Sequence, residues 1–131
     1  MHGRKGPRVL VVDDHPGVRA ALCSLLHRHG CAVEAAANGR AALECLASER
    51  FDAVISDIEM PVMDGLTLLR HVMAEHPALR HRFLLCSGLC LPPLLIDPAV
   101  PFLQKPVGDE QLWAALCRVL ATPVEVPTTY D

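Results

Sequence analysis

Short apolar runs alternate with segments of helical period along nearly the whole chain, and that alternation narrows the folds open to it. The runs lie near 8–12, 31–36, 52–57, 82–87 and 101–104. The first, third and fourth are continuously apolar, as expected of central strands covered on both faces. Between them, Val18, Ala21, Leu22, Leu25 and Leu26 repeat at helix spacing and stop at Gly30. Gly39, Ala42, Leu43, Leu46 and Ala47 do the same after Asn38, a good N-cap. Leu66, Leu69, Val72 and Met73 form a third helix between Asp64 and Pro77, and Leu112, Ala115, Leu116, Val119 and Leu120 a last one after Asp109. Strand and helix in turn predict an α/β fold, a parallel sheet joined by right-handed crossovers.

With 131 residues the chain makes one domain with a real core. The expected boundaries are a disordered segment over 1–7, the domain over 8–121, and a tail or linker stub over 122–131. A net charge of −3 gives no basic footprint for nucleic acid. No apolar stretch reaches membrane-span length, and Met1 to Gly6 is too polar for a secretory signal, so the expected location is the cytoplasm. Cys23, Cys31, Cys45, Cys86, Cys90 and Cys117 contain no Cys-x-x-Cys pair and sit mostly in apolar patterns. They read as small buried hydrophobes in a reducing compartment. One stretch breaks the rhythm: Pro92, Pro93, Pro98 and Pro101 forbid a long regular helix between Ser87 and Phe102.

Four acids and a lysine follow the apolar runs. Asp13 and Asp14 come after the first, Asp57 ends the third, and Lys105 follows the fifth; Asp64 lies further on, in Met-Pro-Val-Met-Asp-Gly (60–65). If the runs are parallel neighbours, their carboxyl ends share one edge, the place where open α/β sheets bind ligands. Asp64 is free to cap the next helix, which leaves Asp57 without a structural duty. One of Asp13 and Asp14 could cap the helix starting at Pro16, but two adjacent acids at a sheet mouth need a cation to offset them. The cluster therefore implies a hard divalent metal. A carboxylate held beside such an ion can attack phosphorus and form an acyl phosphate. Lys105 precedes Pro106, where a cis bond would aim its ammonium inward. Ser87 adds a hydroxyl at the end of the fourth strand.

Val-Val-Asp-Asp (11–14), Ser-Asp-Ile-Glu-Met-Pro-Val-Met-Asp-Gly (56–65), Ser-Gly (87–88) and Phe-Leu-Gln-Lys-Pro (102–106) resemble the receiver domains of two-component response regulators. The likeness covers about 8–121 and is closest to receivers of hybrid sensor histidine kinases. It implies a flavodoxin-like, doubly wound, five-stranded sheet in the order 2-1-3-4-5 with helices on both faces. The fourth helix would be short or irregular, because Ser87 and Lys105 stand closer in the chain than in most such receivers. By the same resemblance Asp57 is the phosphoacceptor, taking its phosphoryl group from a sensor histidine kinase or a histidine phosphotransfer protein. Asp13, Asp14, Asp57 and the backbone carbonyl of Glu59 would hold Mg²⁺ or Mn²⁺. Lys105 would contact the phosphoryl group, and Ser87 and Phe102 would be the switch pair. The downstream partner is an unknown protein, and the chain a monomer or weak dimer.

Such a domain is a signalling module rather than an enzyme, apart from limited self-catalysed phosphorylation and dephosphorylation. An alternative is a receiver-like module that docks without phosphorylation, with Leu89, Leu91, Leu94, Leu95 and Ile96 as an exposed patch or a plug over the core. A Mg²⁺-dependent phosphatase using Glu59 as proton donor, and a flavin-binding sheet, fit the residues less well.

Overall fold

Residues 6–88 and 100–121 are described in a computed structural model of the chain. The irregular fourth helix, the leucine-rich patch of 89–96, Cys90, and most of the expected terminal segments lie outside those residues. Five parallel strands, β1 (Arg8–Val12), β2 (Ala32–Ala36), β3 (Ala53–Asp57), β4 (Phe83–Ser87) and β5 (Phe102–Gln104), form one sheet in the order β2-β1-β3-β4-β5. The expected fold and strand order are thus observed. Every residue of β3 and β4 is buried, whereas β2, at one edge, leaves Glu34 and Ala35 exposed. The continuous apolar runs became the central strands for that reason: only strands shielded on both faces can be apolar at every position.

Alternating side chains divide the core into two layers. Val9, Val11, Ala53, Ile55, Leu84 and Cys86 face α1 (Pro16–Arg28) and α4 (Asp109–Ala121), meeting Leu22, Leu26, Leu112 and Leu116. Leu10, Val12, Val54, Phe83 and Leu85 face α2 (Gly39–Ser48) and α3 (Gly65–Glu75), meeting Ala42, Leu46, Leu68 and Val72. A 3-10 turn over Pro77–Leu79 closes α3 back toward β4.

The helix ends show how local chemistry sets their limits. Asn38 and Asp64 cap α2 and α3, accepting from Ala41 N and Thr67 N, both at 2.8 Å. Gly30, at φ +89°, completes a Schellman stop for α1, with Gly30 N donating to His27 O and Cys31 N to Leu26 O, each at 3.0 Å. One cap settles a choice the sequence left open, and one helix starts a residue earlier than expected. His15, not Asp13 or Asp14, caps α1, its Nδ1 accepting from Val18 N at 3.2 Å. Asp109 lies inside α4, whose first backbone bond runs from Leu112 N to Gly108 O. Asp13 and Asp14, just past β1, do not cap α1. The cysteine reading also needs one correction. Cys31 and Cys86 are buried and Cys23 and Cys45 partly so, but Cys117 is exposed on the outer side of α4.

Candidate metal and phosphoryl site

The carboxyl ends of β1, β3, β4 and β5 lie side by side in the sheet, and main-chain bonds to neighbouring strands carry the ladders one residue further. Asp13 N donates to Ala36 O at 3.1 Å, Ile58 N to Cys86 O at 2.9 Å, and Lys105 N to Ser87 O at 2.7 Å. The residues just past the strands therefore meet on one edge. Carboxylate oxygens of Asp13, Asp14 and Asp57 lie within 4.8 Å of one another. Lys105 Nζ donates to Asp13 Oδ2 at 2.8 Å and stands 3.3 Å from Asp57 Oδ1. The Lys105–Pro106 peptide is cis, as the sequence suggested. Asp13, Asp14, Asp57 and Lys105 thus meet at one edge, and Ser87 ends β4 beside them with its carbonyl bonded to Lys105 N.

Each group has a distinct setting. Asp13 is 1% exposed and well held: its Oδ1 accepts from His15 N at 2.9 Å, and Arg19 Nη1 donates to its carbonyl at 2.7 Å. Asp14 is exposed. Asp57 is 6% exposed, and its Oδ1 has the ion-pair distance to Lys105 without the alignment of a hydrogen bond. Burial pushes the Asp57 carboxyl above its ordinary range; Lys105 pulls it down, but Asp13 and Glu59 push it further up. Burial opposes the Lys105 ammonium, yet its hydrogen bond to Asp13 and the charges of Asp57 and Asp13 outweigh that and raise it. Cys86, beneath the site, is held up at about 12 chiefly by burial, so its thiol stays protonated.

The donor set fits a small divalent cation. All three side chains offer hard oxygens, one buried oxygen of Asp57 has no hydrogen bond, and one ammonium offsets only part of three negative charges. The raised Asp57 fixes a pH prediction. Between its ordinary and its raised pKa the folded state binds more protons than the unfolded one, so stability falls as pH rises through that window and the cost persists above it. In metal-free buffer at pH 7, Asp57→Asn should raise the thermal midpoint by about 2–5 °C, a gain that fades in acid. Differential scanning fluorimetry checks this, and a lower midpoint at pH 7 would contradict it.

Glu59 brings a contact that motif spacing did not reveal. Ser87 Oγ donates to Glu59 Oε2 at 2.6 Å, while Ser56 Oγ donates to the Asp57 carbonyl at 2.9 Å. Phe102, expected as the aromatic partner of Ser87, is partly buried against the α2–α3 layer. The β3–α3 loop ends on Gly65, whose N–H donates to Ile58 O at 2.8 Å. Within that loop Val62 is 71% exposed and adopts φ +70°, a left-handed conformation that a β-branched residue rarely takes.

The sequence profile of the response regulator receiver domain matches residues 9–117. The chain belongs to that family, and it is a receiver domain. Among curated proteins it is 48% identical over 86 residues to a protein-glutamate methylesterase/protein-glutamine glutaminase of Anaeromyxobacter dehalogenans, covering 66% of this chain and 24% of that protein. It is 46% identical to the sensor histidine kinase GacS of Pseudomonas protegens, covering 82% of this chain and 12% of the kinase. The chain thus spans about a quarter or less of these relatives. Among solved structures, the response regulator TrrA of Thermotoga maritima in complex with Mg²⁺-BeF superposes with a TM-score of 0.76 at 27% identity, covering 87% of this chain and 99% of that one. No helix among the described residues is long and apolar enough to cross a membrane.

Proposed function

We propose that this receiver accepts a phosphoryl group on Asp57 and signals by the change that follows. The observation that carries the reading is the convergence of Asp13, Asp14 and Asp57 around Lys105 at one sheet edge. Asp13, Asp14 and Asp57, with the backbone carbonyl of Glu59, would hold one Mg²⁺ or Mn²⁺, which supplies charge neutralisation at the reacting oxygens when bound. An oxygen of Asp57 attacks phosphorus as the bond to the donor's imidazole nitrogen breaks, leaving an acyl phosphate here and a histidine on the donor. Burial and the negative charges of Asp13 and Glu59 make the Asp57 carboxylate more basic than usual, which favours it as a nucleophile once its proton is lost. Lys105 shifts its ammonium from Asp13 toward a phosphoryl oxygen, and Ser87 donates to another. Phe102, on the strand leading to Lys105, follows by packing alone, since it has no hydroxyl to offer.

The same reading makes the partner a sensor histidine kinase or a histidine phosphotransfer protein, and the compartment the cytoplasm. The domain extends over 8–121. The role is signalling, with catalysis confined to the domain's own phosphorylation and hydrolysis. Incubation with a small phosphodonor and Mg²⁺ tests this. Peptide mass mapping should place one hydroxylamine-labile phosphoryl group on Asp57, absent from Asp57→Asn and absent without Mg²⁺. No label on the unsubstituted protein would favour a domain that docks without phosphorylation.

A further inference from the structure

We infer that the Glu59 side chain is a latch that holds the Ser87 hydroxyl away from the phosphoryl position, so that breaking one hydrogen bond is part of switching. The inference rests on the phosphoacceptor reading above and deepens it. A serine hydroxyl has a single proton to donate. Ser87 spends it on Glu59 Oε2 at 2.6 Å, the length of a charge-assisted O–H···O⁻ bond. Ser87 is fully buried, at 0% exposure, at the end of β4, and its neighbour Cys86 pairs with Asp57 in the sheet. Its hydroxyl therefore stands beside the acceptor but is committed elsewhere. The other hydroxyl at this edge, Ser56, donates to the Asp57 main chain.

Glu59 suits the part. It lies two residues beyond Asp57 in the exposed β3–α3 loop, so its carboxylate can swing into water once the bond breaks. A new acceptor of higher charge at Asp57 competes for the same proton, and the latch opens only when that competitor is present. Removing the Glu59 carboxylate removes the acceptor of that bond and shifts the balance toward the switched state.

The test uses beryllofluoride, which bonds to a carboxylate oxygen and stands in for the phosphoryl group, titrated with Mg²⁺ by calorimetry into the unsubstituted protein, Glu59→Ala, Ser87→Ala and the double variant. Glu59→Ala should tighten binding about fivefold, the effect of freeing one charge-assisted hydrogen bond. In the Ser87→Ala background the same change should have no effect. Equal tightening in both backgrounds would mean that Glu59 acts by charge repulsion alone and would overturn the latch, as would no tightening at all. Failure of the unsubstituted protein to bind would sink the phosphoacceptor reading. The Glu59–Ser87 bond that the latch requires is decided separately by the same four proteins melted without metal or beryllofluoride. Non-additive midpoint shifts of Glu59→Ala and Ser87→Ala support it, and additive shifts overturn it.

Discussion

Gly65→Ala should lose about 3 kcal/mol of unfolding free energy, a large fraction of what holds a domain of this size together. A Cβ on Gly65 would stand 2.2 Å from the Asp57 carbonyl oxygen and 2.9 Å from Ile58 Cα. Both are main-chain atoms in or just past a central strand, so no side chain can swing aside to make room. The start of α3 must move off β3 instead, stretching the 2.8 Å bond from Gly65 N to Ile58 O. That displacement disturbs the loop carrying Glu59 as well as the main chain of Asp57. Labelling by a small phosphodonor should therefore slow along with the loss of stability. Gly88→Ala is the control, because its added Cβ meets no described atom within 4 Å. It should stay within about 0.5 kcal/mol of the parent. Urea unfolding of both variants decides the matter, and a Gly65→Ala protein as stable as Gly88→Ala would contradict the packing described here.

Lys105→Met should be nearly as damaging in metal-free buffer, by about 2–4 kcal/mol, although the aliphatic stem is largely kept. The ammonium is the cation bonded to Asp13 and paired with Asp57, whose side chains are 1% and 7% exposed. Without it two buried carboxylates face each other across the sheet edge, and one must take up a proton or move outward. Added Mg²⁺ should then restore more stability to the variant than it adds to the parent, because the ion replaces the missing positive charge. Thermal melts with and without Mg²⁺ read this directly. A metal-free variant melting at the parent's temperature would show that the ammonium does not offset the acid cluster.

The fold was legible because two independent patterns agreed. Continuous apolar runs marked β1, β3 and β4 as central, and helix-period segments between them forced parallel pairing. The site was legible for a related reason: polar residues directly after such runs must emerge at one edge, whatever the lengths of the connections. Helix caps were less so. His15 caps α1, where the acids after β1 were only the less favoured option, and the Gly108 carbonyl opens α4, since many short polar groups or a bare main chain can satisfy the same few N–H groups. The Glu59–Ser87 bond was hidden because it joins residues 28 apart and depends on how far the β3–α3 loop leans over β4. No spacing rule encodes that lean. Close approach at Gly65 left a fainter trace, the Asp-Gly pair, which signals a turn but not the contact with the strand behind it.

Phosphoryl transfer to this site requires Asp13, Asp14 and Asp57 to act together on one cation. Calorimetric titration of Mg²⁺ into the parent protein, Asp13→Asn and Asp14→Asn tests that directly. One site filling at millimolar Mg²⁺ in the parent, and sharply weakened in both variants, is the predicted result. No uptake by the parent, or uptake that survives both substitutions unchanged, would contradict it.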